Sequence, residues 1–488
     1  MKLLVLGIDG GTTDIFDAFD MPFWAELRRR SNNLAVTEDL NQRGWARMLS
    51  GQGADQTGGL YVRPKQSSPP QFELSFDFTT MKTAQGFKPI WEFAQDAGHS
   101  VGMMNVPTSH PAQEVNGFYV SGGGGGIFQG GLPANSAFPH SVSQSLAETE
   151  YIFDTRLGAE SFPDPVSLVR HLNTMMSRRV AAFAKLSRDF QIQFGFLALR
   201  ATTVLLYLSM SEIAYMMRFS KQDPQRKSWS SNWLDVVSGH MRTLDDCIAR
   251  LFDALQPEHY ILASDHSIVP WTHNIDLGGF LVAHGYANYS KSRFNWMRNV
   301  ARAVLRPKFR QKLGVVPLGG VNKELRCSGA LLNNDGRAFS GTYCYGIYIN
   351  DQVRFGGPVR MEDVAGEVQQ IISDFNWAAA RLTFPLSAAP YRELFMGAPH
   401  SDKLPDITIL QSGHAFPTFS MGAHWYAHNP NYGPVRTIRG VGGMHTGQKG
   451  RHPILMCDVA LSQFIEEQDA IDLRLVHTLT KRLFEKRY

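Results

Sequence analysis

Residues 260–267 read YILASDHS. An apolar run ends in Asp265 and His266, side by side. Adjacent side chains on a strand point to opposite faces, so a strand running through both would separate them. If the strand stops at Ser264, both can turn from the start of a loop toward one metal ion. Asp, His and a hydroxyl oxygen form a hard-to-borderline donor set that suits Zn, Mn or Mg.

Other runs repeat the pattern. KLLVLGIDGG (2–11), VLLYLSMSE (204–212) and DITIL (406–410) are the remaining apolar stretches that read as strands. Between the second of these and YILASDHS lies SNWLDVVSGHMRTLDDCIARLFDAL (231–255). Its residues Trp233, Val237, Met241, Leu244, Ile248, Leu251 and Leu255 recur at three- and four-residue steps, which predicts an amphipathic helix. Strands alternating with helices predict an α/β fold, an open and mainly parallel sheet covered on both faces. In such folds the site lies beyond the carboxyl ends of the strands. Asp9, before GGTT at the end of the first run, therefore joins Asp265 and His266 as a candidate ligand. Ser50, before Gly51 in GWARMLSGQG (44–53), is a turn or cap residue unless a base or metal activates it as a nucleophile.

The 488 residues are 43% hydrophobic, enough for a large core, and carry a formal net charge of +4. That charge is too small to argue for nucleic acid. Four scattered cysteines suggest buried thiols in a reducing compartment, with neither a disulfide framework nor a zinc knuckle. The N-terminal run is too short for a secretory signal, and no run is long enough to span a bilayer. A soluble cytoplasmic protein is expected. Residues 50–80 and 121–165 are rich in Gly, Pro, Ser and Gln and predict irregular insertions. The glycine run SGGGGGIFQGG (121–131) lacks the spacing and the lysine of a phosphate-binding loop. Residues 290–312 carry eight basic residues and no acid. They read as a solvated basic insertion or as an amphipathic helix for an acidic partner.

Seven fragments, in order, resemble the alkaline phosphatase superfamily in its type I phosphodiesterase and nucleotide pyrophosphatase branch. They are VLGIDGGTTD (5–14), GWARMLSGQ (44–52), the Trp, Ala-Gly, Asn-Val-Pro and Asn-Gly pattern of residues 88–122, and ILASDHS (261–267), with Ser267 in place of Gly. GRAFSGTYCYGIYIN (336–350), ELFMGAPHSDKLPDITI (393–409) and GMHTGQKGRHPIL (443–455) complete the set. The resemblance implies a single alkaline-phosphatase-like domain over 1–488, with insertions near 50–80, 121–165 and 285–335 forming a cap or pocket wall.

The resemblance further implies a divalent metal, Zn first with Mn or Mg as alternatives, bound by Asp9, Ser50, Asp265 and His266. Ser50 would be the nucleophile and would form a covalent phospho-enzyme. A second ion would take an Asp, a His four residues later and a C-terminal His, here His445. The matching residues in SMSEIAY (209–215) are Ser211 and Tyr215, which are poor ligands, so one ion is favoured over two. His445, His273 and Tyr215 would then stabilise charge or protonate the leaving group, and Asn274 and Ser211 would bind substrate. The expected activity is hydrolysis of a small phosphoester, either a phosphodiester or a phosphomonoester. The alternatives are a non-hydrolytic group-transfer enzyme and an inert binding protein with a vestigial site. Self-association into a homo-oligomer is left open.

Overall fold

The computed structural model describes residues 1–65, 71–73, 76–122, 135–153, 162, 164–219, 223, 232–288, 335–341, 343–411, 415–417, 425–433 and 444–485. The basic stretch 290–312, most of the glycine run and Cys327 lie outside the described residues. The chain gathers into two compact units. One comprises Met1–Gly59, Ser75–Pro270 and Gly433–Tyr488, and the other Leu60–Leu74 and Trp271–Tyr432. The second unit takes in part of the expected 50–80 insertion and runs well beyond 285–335.

The first unit is built on an eight-stranded sheet. Its elements used below are β1 (Leu3–Ile8), α1 (Gly44–Ser50), β2 (Val101–Met104), β3 (Gly117–Val120), β4 (Phe194–Leu199), α2 (Ala201–Met216), α3 (Asn232–Leu255), β5 (His259–Ala263), β6 (Ser267–Pro270), β7 (Gly447–Gly450) and β8 (Leu455–Asp458). The sheet order is Ser31–Asn33, β8, β5, β1, β4, β2, β3 and Ala137–Phe138. The five strands from β5 to β3 run parallel, and the remaining pairings are antiparallel. This is a mostly parallel α/β sheet, as the alternation of runs predicts.

Both faces are covered, and β1 shows why its sequence is almost wholly apolar. Leu4, Leu6 and Ile8 enter a core shared with α2, α3 and the helix Pro165–Asp189. Leu3 and Val5 enter a second core with α1 and the helix Arg474–Glu485. A strand buried on both sides has no polar face to alternate with. All seven periodic residues of α3 are buried, as expected.

One strand expectation needs correction, and another holds in a different sheet. VLLYLSMSE is no strand, because residues 204–212 lie inside helix α2. The strand of that region is FGFLAL, β4, ten residues earlier. A short run of buried apolar residues has no period that separates helix from strand, and α2 is apolar on nearly every side, so its sequence carries no face. DITIL does form a strand, Ile407–Gln411, but in a four-stranded antiparallel sheet of the second unit. There the helix Val364–Ala379 packs on Leu386–Pro390, and its Ile371 and Phe375 are fully buried.

Candidate active site

Parallel strands deliver their carboxyl ends to one edge of the sheet. The end of β1 brings Asp9, the end of β4 brings Arg200, and the end of β5 brings Asp265 and His266. Three of these form one cluster. Ligand atoms of Asp9, Asp265 and His266 lie within 4.8 Å of one another, and this is the sole such group of His, Cys, Asp and Glu among the described residues. All three side chains are buried, at 6%, 5% and 3% exposure. The strand ends at Ala263, so the Asp-His pair falls in the loop and both side chains turn inward.

The imidazole is held in one orientation. His266 Nδ1 lies 2.9 Å from the Ser267 carbonyl oxygen. A carbonyl only accepts, so Nδ1 carries the proton and Nε2 carries a lone pair. That lone pair faces Asp265 Oδ2 at 3.5 Å and Asp9 Oδ1 at 3.7 Å. Three electron-rich atoms therefore converge in a buried place. Burial, more than any neighbour, holds His266 down at about 3, so the ring stays neutral. Burial and the charge of Asp265 together hold Asp9 above the usual carboxylate range. A divalent cation satisfies such a donor set, and the hydrogen bond from Nδ1 is the usual support for a ligating His.

The turn after β1 is tight. Gly10 has φ +72, and a Cβ there would meet Thr203 Oγ1 at 2.5 Å and Ile268 Cγ1 at 3.0 Å. Gly11 donates its N–H to Ser264 Oγ at 2.8 Å, and Ser264 Oγ donates to the His266 carbonyl. Ser264 thus ties the β1 loop to the β5 loop. Arg200 Nε stands 3.5 Å from Asp9 Oδ2.

The Ser50 hydroxyl is not hydrogen-bonded to the cluster. Ser50 is the last residue of α1, and its hydroxyl donates to the Ala46 carbonyl at 2.6 Å. The other end of α1 is the one that meets the site. A Cβ on Gly44 would touch the Asp265 carbonyl oxygen at 2.5 Å and Cα at 2.7 Å. At 1.5 Å rise per residue, Ser50 lies about 9 Å further along the helix. Arg47, on the same helix, is committed to buried ion pairs with Glu38 and Asp472.

Ser211 and Tyr215 are displaced too. Because β4 ends at Leu199, the part of α2 that passes the cluster is its first two turns. Thr203 packs beside Gly10, and Tyr207 OH lies 3.4 Å from His266 Nε2. These two stand at i and i+4, the spacing expected of the second ion's Asp and His, and they offer a hydroxyl and a phenol. Ser211 and Tyr215 sit about 6 and 12 Å further along the axis. The Ser211 hydroxyl is bonded to the Gly433 backbone, and Arg218 stacks over the Tyr215 ring. His445 is half-buried and outside the three-residue group. His240 is fully buried, its ring bonded to Asn173 and Thr202.

His273 and Asn274 belong to the second unit. They lie on the strand His273–Ile275, between Ala415–Pro417 and Tyr426–His428. The His273 ring stacks on Phe384 at 4.2 Å, and Asn274 Oδ1 accepts from Trp271 Nε1 at 3.1 Å.

One residue escaped sequence reasoning. Lys449, on β7, interacts electrostatically with both Asp9 and Asp265. Burial lowers its pKa, against the pull of those two carboxylates. GQKG carries no signal that its lysine acts on two acids more than 180 residues away in sequence. Only the pairing of β7 with β6 brings it there.

An α/β sheet with a buried Asp-Asp-His cluster at its carboxyl edge is the frame of an alkaline-phosphatase-like hydrolase. Residues 3–354 match the family described as type I phosphodiesterase / nucleotide pyrophosphatase, and the chain belongs to that family. Among solved structures, phosphonoacetate hydrolase from Sinorhizobium meliloti with phosphonoformate shares 11% identity at a TM-score of 0.52, covering 99% of this chain and 96% of that one. The same hydrolase with phosphonoacetate shares 10% at 0.52, again covering 99% and 96%. Murine ectonucleotide pyrophosphatase / phosphodiesterase 5 with AMP shares 12% at 0.45, covering 99% and 95%. No curated protein sequence matches the chain. Family membership supports a phosphoester hydrolase. Among the described residues, no helix is long and apolar enough to cross a membrane.

Proposed function

We propose that this chain hydrolyses a small phosphoester with one divalent ion held by Asp9, Asp265 and His266. One observation carries the reading: a neutral imidazole lone pair and two carboxylates converge in a buried pocket of donors. Zn is the first choice for a His-plus-carboxylate set, ahead of Mn and Mg. When bound, the ion polarises the phosphoryl group and offsets its charge. Ser267 fixes the ring of His266, Ser264 holds the two loops together, and Arg200 keeps a cation beside Asp9. The Ser50 nucleophile and its phospho-enzyme are left out of this reading, because the Ser50 hydroxyl is bonded to the Ala46 carbonyl. Water supplies the attacking oxygen; its bond to phosphorus forms as the bond to the alcohol oxygen breaks. Three described cysteines are buried free thiols, which supports the expected reducing, cytoplasmic setting.

A second reading is a phosphate-binding protein without turnover. Arg200 and Lys449 favour it, since two cations beside two carboxylates balance charge without an ion. The test is metal analysis of the purified chain together with release of nitrophenol from bis(p-nitrophenyl) phosphate, with and without chelator. One metal per chain, lost with turnover in Asp265→Ala, supports the hydrolase. A chain that takes up no Zn, Mn or Mg and turns over nothing supports the second reading.

A further inference from the structure

The site has two buried carboxylates and donors for one ion. The candidates for a second set of donors do not assemble: Thr203 and Tyr207 bring neutral oxygens, and His445 is outside the cluster. What lies in that direction is a strand pair. In the antiparallel ribbon of β6 and β7, Lys449 is directly opposite Ile268. Residues directly opposite in such a ribbon put their side chains on the same face. The Ile268 side chain packs against Gly10, the residue after Asp9. Lys449 therefore leaves the ribbon on the face turned to the β1 loop, and its charge acts on both Asp9 and Asp265. β7 is fixed on α2 beside this place: Thr446 donates its N–H to the Tyr207 carbonyl at 2.9 Å, and a Cβ on Gly447 would meet the Leu206 carbonyl at 2.7 Å. The lysine is set by strand register and by close backbone packing, so it is a built part of the site.

We propose that Lys449 supplies the second positive charge of this site as a side-chain ammonium and binds the phosphate group of the substrate. An ammonium is a compact point charge with three donors and suits phosphate oxygens. Two carboxylates and one divalent ion cancel, which leaves Arg200 beside Asp9 as one positive charge, and Lys449 adds a second to hold a phosphate anion. This rests on the single-ion reading above and adds the residue that takes the anion.

The experiment compares wild type, Lys449→Met and Lys449→Arg, each loaded with Zn. It measures metal content, binding of inorganic phosphate by calorimetry, and KM and kcat with bis(p-nitrophenyl) phosphate. The expected result is one metal per chain in all three. Phosphate binding and KM weaken by roughly tenfold or more in Lys449→Met and recover in Lys449→Arg. A Lys449→Met protein that binds phosphate as wild type does overturns the proposal, and so do two metals per chain in wild type, which would leave the hydrolase reading standing. Phosphate binding to a metal-free, inactive wild type, lost in Lys449→Met, would remove the hydrolase reading and keep the role of Lys449.

Discussion

Each unit of the chain buries a pair of aspartates, and the two pairs are treated differently. In the second unit, Asp351 and Asp406 are closed in by guanidinium groups. Arg354 bridges them, with Nη2 at 2.6 Å from Asp406 Oδ2, and Arg392 Nε reaches Asp406 Oδ1 at 2.7 Å. Backbone N–H groups of Arg354 and Ile349 donate to the same carboxylates at 2.7 Å. In the first unit, Asp9 and Asp265 face a neutral imidazole lone pair at 3.5 to 3.7 Å. The first arrangement is complete as it stands and serves the fold. The second keeps Arg200 no nearer than 3.5 Å to Asp9, with the charge of Lys449 acting on both carboxylates, and sets an electron-rich nitrogen between them, which favours a ligand that brings positive charge. Buried charge is tolerated in both, for opposite reasons.

The contrast can be broken at its strongest point. Arg354→Met leaves buried Asp351 without a guanidinium partner and Asp406 with Arg392 only, and it should destabilise the protein by about 3–5 kcal/mol in denaturant unfolding. A loss below about 1 kcal/mol would show that the network is no keystone.

The next largest effect is a pH slope. Burial holds His240 down at about 4 from 6.5. The folded protein keeps this ring neutral while the unfolded chain accepts a proton near 6.5. Its contribution is thus fully present above pH 6.5 and is lost as pH falls toward 4. The difference is about 3 kcal/mol. Unfolding free energy measured across that window should fall more steeply in wild type than in His240→Gln.

Gly44 tests how α1 is seated on the site. A Cβ there meets the backbone of Asp265, which cannot swing aside as a side chain can. Gly44→Ala should cost about 2 kcal/mol and lower metal affinity, read by thermal unfolding and metal titration. Wild-type affinity would show that the helix end and the ligand loop are uncoupled.

Two further substitutions sharpen the difference between the pairs. Asp265→Asn removes both the repulsion with Asp9 and the attraction to Lys449, so the metal-free protein should change by less than about 1 kcal/mol while metal uptake is lost. The matching change Asp406→Asn should only destabilise. Ser50→Ala should have the smallest effect, with phosphodiester turnover within about threefold of wild type, since the hydroxyl serves a local bond to Ala46. A loss of about a thousandfold would restore Ser50 as the nucleophile.

The cluster itself was legible because its chemistry sits at strand ends. LLVLGI before Asp9 and HYILA before Asp265 are short buried strands, and ligand residue types at their ends are unusual enough to stand out. The region between them was not legible. FGFLAL and VLLYLSMSE are both runs without a polar face, and nothing local marks the first as strand and the second as helix. Placing the helix as a strand moved the expected partners from Thr203 and Tyr207 to Ser211 and Tyr215. Ser50 was drawn in by the resemblance of GWARMLSGQ to a nucleophile segment, whereas Gly44, at the other end of α1, is the residue that meets the Asp265 backbone.

The two-faced α/β sheet is legible in the sequence alone, and of five metal-ligand candidates read there, Asp9, Asp265 and His266 come together in the fold. Those follow from local facts, namely burial on both faces of a strand and the residue that comes next. The folded chain settles which end of α1 meets the site, which turn of α2 passes it, and that the charge of Lys449 acts on both carboxylates. Each of these depends on helix direction or cross-strand register, and register links residues that are far apart in the chain.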